Sequence, residues 1–366
     1  MHIAKLDVQA YTIPTDTPEA DGTIAWDSTT MVLVTACAEN GETGIGYTYA
    51  HPTAVGLIRG KLAEAVQGVS VFQVGEAWER MVNAVRNLGR PGIASHAISA
   101  VDTALWDLKA HALDLPLFRL LNTHRESVPL YGSGGFTTYS DERMRQQLGG
   151  WVAQGISRVK IKIGEGWGTA VSEDTRRIAL ARHIIGPDVE LMIDANGGYT
   201  TKQAIRLGRL YAQDYDVTYF EEPVSSDHLE QLRLVRENTP LAVAAGEYGY
   251  SPWYFRDMLR AGAVDILQAD VTRCLGITGW LMAADLAYGF DVPLSAHTAP
   301  ALHVQVGCAA PQLEHIEYFY DHVRIEKMFF EGVAEPQNGR LYPDPQRPGL
   351  GLTLKQPDAA PYLLNV

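Results

Sequence analysis

The sequence predicts an α/β fold: a (β/α)8 barrel of the TIM type, carrying an α+β capping domain built from the N-terminal region and the C-terminal tail. Two observations lead there. Between Lys160 and His297, six short apolar runs each end in charged residues: Lys160 and Lys162, Asp194, Glu221, Glu247, Asp270 and His297. From Asp194 the intervals are 27, 26, 23 and 27 residues. About 25–35 residues make one strand–helix unit, so the charges recur once per unit at strand ends, and the C-terminal strand ends of such a barrel gather on one face. The second observation is the count. Strand candidates begin at 128, 158, 189, 217, 241, 264, 292 and 314, which makes the eight a closed barrel needs.

The elements before the barrel read differently. Residues 3–13, 30–38 and 45–49 are strand-like, rich in Val, Leu, Ile and Thr. Residues 14–29 read as a Pro/Thr/Asp/Gly-rich loop holding a solitary Trp26, and Gly41 with Gly44–Gly46 reads as a turn. Helical spacing follows at 54–67, 72–86 and 93–113. Three antiparallel strands followed by helices make an α+β domain over 1–125. The polar stretch Asn122–Ser127 marks its end. The barrel is expected over 126–320, with helices near 141–154, 172–185, 201–213, 228–237, 252–261, 276–288 and 300–310. Residues 321–366 lack the alternation, are rich in Pro and Gly, and are expected to return to the first domain.

The chain has 366 residues, 46% hydrophobic and 20% charged, with net charge −13. That length suits a barrel plus a smaller domain. The acidity argues against a nucleic-acid surface, which needs clustered Lys and Arg. Cys37, Cys274 and Cys308 are odd in number and lack a CxxC spacing, which fits a reducing compartment and neither disulfides nor a zinc site. The N-terminus has no apolar signal core, and no run approaches ~18 apolar residues. A cytoplasmic homo-oligomer with no membrane partner is the expectation.

Asp194, Glu221 and Glu247 place three carboxylates on consecutive strand ends, where they repel unless a cation sits among them. Oxygen-only ligands suit Mg²⁺, with Mn²⁺ as a substitute. Strand alternation lets only one of Glu221 and Glu222 point inward, and spacing does not choose between them. Lys160 and Lys162 share one face of a strand. Facing the pocket, one would bind a substrate carboxylate, and the other would serve as a base with its pKa lowered by its cationic neighbour. Facing solvent, they would leave Ile161 and Ile163 inside. Asp270 beside His297 would fix the imidazole tautomer and raise its basicity. Glu317, on the eighth strand, is placed either to donate a hydrogen bond from a protonated carboxyl or to pair outside with Arg324 or Lys327.

Lys160-Ile-Lys162, Asp194-Ala-Asn196, Glu221-Glu-Pro223, Gly246-Glu247, Asp270 and His297 together resemble the enolase superfamily, and within it the mandelate racemase subgroup. The resemblance covers the whole chain. It implies Glu221 as the metal ligand of its acid pair. Lys162 would be the base on one face, and His297 with Asp270 the acid/base on the other. Lys160 would contact the substrate carboxylate, Glu317 would hydrogen-bond that carboxylate opposite the metal, and Asn196 would line the substrate site. Lys or His bases with Mg²⁺ are a general feature of superfamily sites. The chain departs from the pattern after Glu247, where Tyr248-Gly249-Tyr250 follows.

The reaction implied is abstraction of the proton α to a carboxylate, foremost in dehydration of an acid sugar to a 2-keto-3-deoxy acid. Racemisation, epimerisation or lactone cycloisomerisation would use the same residues. Of other classes, a catalytically silent metal-binding barrel would not need the lysines or the Asp270/His297 pair. A Mg²⁺-dependent aldolase or hydrolase barrel would not need Lys160 and Lys162 together. Loops 14–29 and 46–53 are expected to close the pocket mouth, offering Trp26, Tyr47, Tyr49 and His51 as specificity residues. Packing is an equal reading for Trp26.

Overall fold

The computed structural model describes residues 1–366. Strands β1 (Ile3–Ala20), β2 (Ala25–Ala38) and β3 (Thr43–Tyr49) form an antiparallel sheet in the order β1-β2-β3. The expected loop at 14–29 is a correction. β1 and β2 run on as a hairpin past Ile13, with an irregularity between Pro14 and Glu19, and close at Ala20 opposite Ala25. Cross-strand backbone bonds hold this ribbon without apolar side chains, so its polar composition hid it.

Gly44 and Gly46 are also not a turn. They lie inside β3 against helix Ile93–Ala112, where a Cβ would come within 2.1 Å of the Leu108 nitrogen and 2.3 Å of the Ala104 nitrogen. Only glycine permits that approach. The helical segments Ala54–Leu57, Ile58–Leu62 and Ala63–Val66, with Val74–Ala84, cover the same sheet. The cap thus has its own core, in which Val32, Val34, Ile58, Leu62, Met81, Ile98 and Val101 are buried.

Eight parallel strands follow: β4 (Val128–Gly134), β5 (Arg158–Lys162), β6 (Glu190–Asp194), β7 (Val217–Glu221), β8 (Ala242–Ala245), β9 (Ile266–Ala269), β10 (Leu294–Ala296) and β11 (Leu313–Phe319). They neighbour one another in sequence order, and β11 pairs with β4 to close the barrel. Alternation sends Val159, Ile161, Ile193, Phe220 and Val243 outward into the barrel–helix core. Tyr131, Met192, Tyr219 and Ile266 fill the interior. Register then sets the charges. Lys162 pairs with Asp194, Asp194 with Glu221, and Glu221 with Ala244, so these charged residues share one layer at the strand ends.

The tail opens with a helix, Tyr320–Phe329, that the sequence reading did not anticipate. β12 (Phe330–Glu331) pairs with β14 (Thr353–Leu354), and β13 (Arg340–Leu341) adds antiparallel to the start of β4. The chain ends on the cap, where the Leu364 N–H donates to the Ala10 carbonyl at 2.8 Å. No helix is long and apolar enough to cross a membrane.

Candidate active site

The inner layer begins with three buried carboxylates. Ligand oxygens of Asp194, Glu221 and Glu247 lie within 4.8 Å of one another. Glu221 ends β7 on its inward face. Glu222 takes a left-handed φ of 36° and lines a separate cavity, so the inward acid is Glu221. Glu221 Oε1 and Glu247 Oε2 are buried without any hydrogen-bond partner. Buried carboxylate oxygens are costly unless compensated. An all-oxygen set converging with two orphaned acceptors fits a hard divalent cation such as Mg²⁺.

Both lysines of β5 point inward, and Ile161 and Ile163 pack outward. Lys160 Nζ lies 2.5 Å from Glu221 Oε2, 2.8 Å from Glu317 Oε1 and 3.6 Å from Asp194 Oδ2. It is fully buried among these three carboxylates. Burial alone would lower its pKa, but Glu221, Glu317 and Asp194 raise it well above the ordinary lysine value. Lys162 does line the cavity and donates to Asp194 Oδ2. Burial and the Lys160 charge act downward, and Asp194 at contact outweighs them to hold the ammonium above its usual range. Charge placed on Asp194 by a cation would offset that hold.

On the other wall, His297 Nδ1 is 2.8 Å from Asp270 Oδ2, and Nε2 faces Glu247 Oε2 at 3.5 Å. Asp270 Oδ1 accepts from the Thr272 N–H at 2.7 Å and its hydroxyl at 2.8 Å. Burial would raise Asp270, but the His297 hydrogen bond and charge, with Arg273, keep it far below the carboxylate range. A Nδ1–H donated to Asp270 leaves Nε2 as the free lone pair facing the cavity.

Glu317 is inside, not paired with Arg324 or Lys327. It accepts from the Ser133 hydroxyl at 2.6 Å and the Thr298 N–H at 2.8 Å. Burial opposes its ionisation, and Lys160 and then His297 pull its pKa below the usual carboxylate range. It lies beneath the cavity, 3.9 Å from His297 Nε2.

The cavity has a volume of about 460 Å³. Asn196, whose N–H donates to Asp194 Oδ1 at 2.9 Å, lines it. Trp26 lines it too, with Nε1 donating to Glu19 Oε2 at 3.0 Å and its ring edge-on to Phe136, so lining and packing are both realised. His51 stands exposed at the rim. Tyr47 is a correction. It is fully buried, its hydroxyl donates to Glu326 Oε1 at 2.6 Å, and its ring stacks on Phe330. Tyr49 shares its strand face but lies two residues nearer the mouth, lines the cavity and stacks on His322 at 3.5 Å.

Sequence reasoning missed Arg273, which lines the cavity and reaches Glu247 Oε1 at 3.2 Å and Asp270 Oδ2 at 3.6 Å. Its position three residues past Asp270, one turn on, was the available signal. Thr298, Phe319 and His322 complete that wall and carried no sequence signal of their own.

Residues 8–122 match the mandelate racemase / muconate lactonizing enzyme N-terminal domain, and residues 143–359 match the enolase C-terminal domain-like family. The chain is 33% identical over 365 residues to a D-galactarolactone cycloisomerase of Agrobacterium fabrum, covering 93% of each. A mandelate racemase/muconate lactonizing enzyme-like protein from Rubrobacter xylanophilus superposes with TM-score 0.96 at 48% identity, across 100% of both chains. An L-talarate dehydratase from Polaromonas sp. JS666, complexed with Mg and L-glucarate, superposes with TM-score 0.89 at 28% identity, covering 100% of this chain and 98% of that one. The chain belongs to the mandelate racemase / muconate lactonizing enzyme family of the enolase superfamily.

Proposed function

We propose that this enzyme removes the proton α to the carboxylate of an acid sugar and expels the β-hydroxyl, giving a 2-keto-3-deoxy acid. One observation carries the reading: a single cavity is lined by Lys162, by His297 with Asp270 behind it, and by Glu247, whose carboxylate converges with those of Asp194 and Glu221. An α-proton beside a carboxylate is a very weak acid, and its removal puts a second negative charge on that carboxylate. Mg²⁺ held by Asp194, Glu221 and Glu247 would stabilise the developing charge. The likeness to a dehydratase bound to Mg and L-glucarate supports both the cation and the substrate class.

The chain's own residues move the protons. His297 takes or gives one at Nε2, because Asp270 holds Nδ1. Lys162 does the same at Nζ from the β5 wall, once the charge of Asp194 is engaged elsewhere. Whichever group is protonated on the side of the β-hydroxyl assists its departure as water. Trp26, Tyr49 and Phe319 crowd the mouth with apolar surface that displaces solvent.

The test is a screen of mono- and diacid sugars with the Mg²⁺-loaded protein, read by 2-keto acid formation and repeated in D₂O. A 2-keto-3-deoxy product supports dehydration. A second reading, lactone cycloisomerisation or epimerisation with the same residues, is favoured by the near full-length likeness to a D-galactarolactone cycloisomerase. Substrate recovered only exchanged or inverted at the α-carbon, or a sugar lactone converted without loss of water, would replace the first reading by this one.

A further inference from the structure

We propose that a second cavity beside the catalytic one is a subsite for a neutral glycosyl unit attached to the acid substrate at the end away from its carboxylate. This rests on the acid-sugar reading above. The second cavity, of about 500 Å³, shares Asn196 and Tyr248 with the catalytic cavity as a common wall. None of the metal-cluster residues, Lys162 or His297 lines it. Each cavity alone is already within the usual ~300–1,000 Å³ of a small-molecule site. The pair is larger than a six-carbon acid requires.

Its lining states the ligand chemistry. No Lys, Arg or His lines it, so it offers no cationic partner to a second carboxylate or a phosphate. Glu222 is only 1% exposed, and its Oε1 has no partner; the Asn196 Oδ1 is likewise buried and unpaired. Buried polar atoms left unpaired call for a hydrogen-bonding partner. Trp167 and Tyr248 are 66% and 42% exposed, and they offer flat apolar rings to the same space. Rings beside acceptors and Ser and Thr hydroxyls match the apolar face and hydroxyl edge of a sugar ring.

Trp167 is held there at a conformational cost. Its φ of 59° is left-handed, which is unfavourable for a bulky residue. Its N–H donates to the Gly22 carbonyl at 2.9 Å, on the loop that joins β1 to β2. Gly22 sits so close to the barrel that a Cβ would lie 2.6 Å from the Ile163 carbonyl oxygen. The tip of the cap hairpin therefore holds the Trp167 backbone beside the cavity.

The Mg²⁺-loaded enzyme is assayed with gluconate against its glycosides maltobionate, cellobionate, lactobionate and melibionate. Elimination across C2–C3 leaves the glycosidic bond intact. A glycosylated acid should exceed its parent by about tenfold or more in kcat/KM, the equivalent of ~1.4 kcal/mol of added binding. Trp167→Ala and Glu222→Gln should each collapse that ratio. Equal or better turnover of the parent, a ratio unmoved by both variants, or a preference for ammonium-bearing acids overturns the proposal. A titration of His297→Asn protein with the same compounds, read by tryptophan fluorescence, is independent of turnover. A response to the glycosylated acids that is lost on adding Trp167→Phe supports the subsite even if no compound yields keto acid, which would sink the dehydratase reading alone. A response to methyl β-glucoside with no gain for the glycosylated acids overturns the attachment.

Discussion

The two walls of the cavity proposed to handle protons are built on opposite plans. On the β5 wall, Lys162 leans on Asp194, a member of the candidate metal cluster and its register partner in the neighbouring strand. On the far wall, His297 leans on Asp270, which lies outside the cluster and is fixed by Thr272 and Arg273. The lysine's direct partner is thus a cluster carboxylate, whereas the histidine's is not; the far wall meets the cluster only through Glu247, which faces His297 Nε2 at 3.5 Å and Arg273 at 3.2 Å.

The largest effect expected is loss of the cation. EDTA should abolish turnover and Mg²⁺ should restore it; full activity in metal-free buffer would break the distinction between the walls. Glu221→Gln should weaken Mg²⁺ binding in calorimetric titration far more than Glu222→Gln, because only Glu221 faces the cluster. The reverse order would mean the wrong acid has been assigned.

Next in size is His297→Asn, which should cost ~10²–10⁴-fold in kcat, the usual worth of a general acid–base group. Mg²⁺ affinity should persist, since the ring is outside the cluster. Asp270→Asn should fall towards the lower end of that range, because the imidazole stays while the anion orienting it is lost. Either variant losing metal affinity as well would show the two walls to be coupled.

The comparison sharpens with exchange of the α-proton in D₂O, followed by NMR. Lys162→Ala and His297→Asn should each keep exchange from the surviving wall, and so fail with opposite stereochemical preference. Identical loss for every diastereomer tried, in both variants, would remove the two-wall arrangement.

The smallest effect concerns stability behind the histidine wall. Glu326 accepts from the Tyr47 hydroxyl and the Ala301 N–H, and burial pushes its pKa up to about 8. Its folded value is above its unfolded one, so its contribution is full below pH ~4.5 and is lost as pH rises towards ~8. Stability from this group should fall across that window by at most ~1.4 kcal/mol per pH unit. Glu326→Gln keeps an oxygen for one of the two donors and removes the ionisable group, and it should flatten the difference in urea midpoint between pH 5 and pH 8. An unchanged slope would show that Glu326 is ionised in the fold.

Much of this site was legible because its signals are local. Asp194, Glu221, Glu247 and Asp270 each end an apolar run or lie just beyond it, and strand length and unit repeat place such positions on one face of a barrel. The cap was harder to read. Its hairpin tip is polar and Pro-containing, and it is a ribbon only because two strands pair along it. Gly44 and Gly46 looked like turn residues because glycine marks both turns and close backbone approaches, and the helix they touch is more than 50 residues away in sequence.

The sequence by itself determined the barrel, the acids and bases at its rim, and their order around the ring, since two-residue alternation and the recurring strand–helix unit are properties of short stretches. Only the tertiary structure decided which residues reach the cavity and which charges meet. It put Lys162 at the surface of the cavity, set Lys160 against Glu317, chose Tyr49 over Tyr47 and brought in Arg273. Those outcomes depend on contacts between distant strands and on burial, where desolvation and a charge a few ångströms away compete and neither is written in the local pattern.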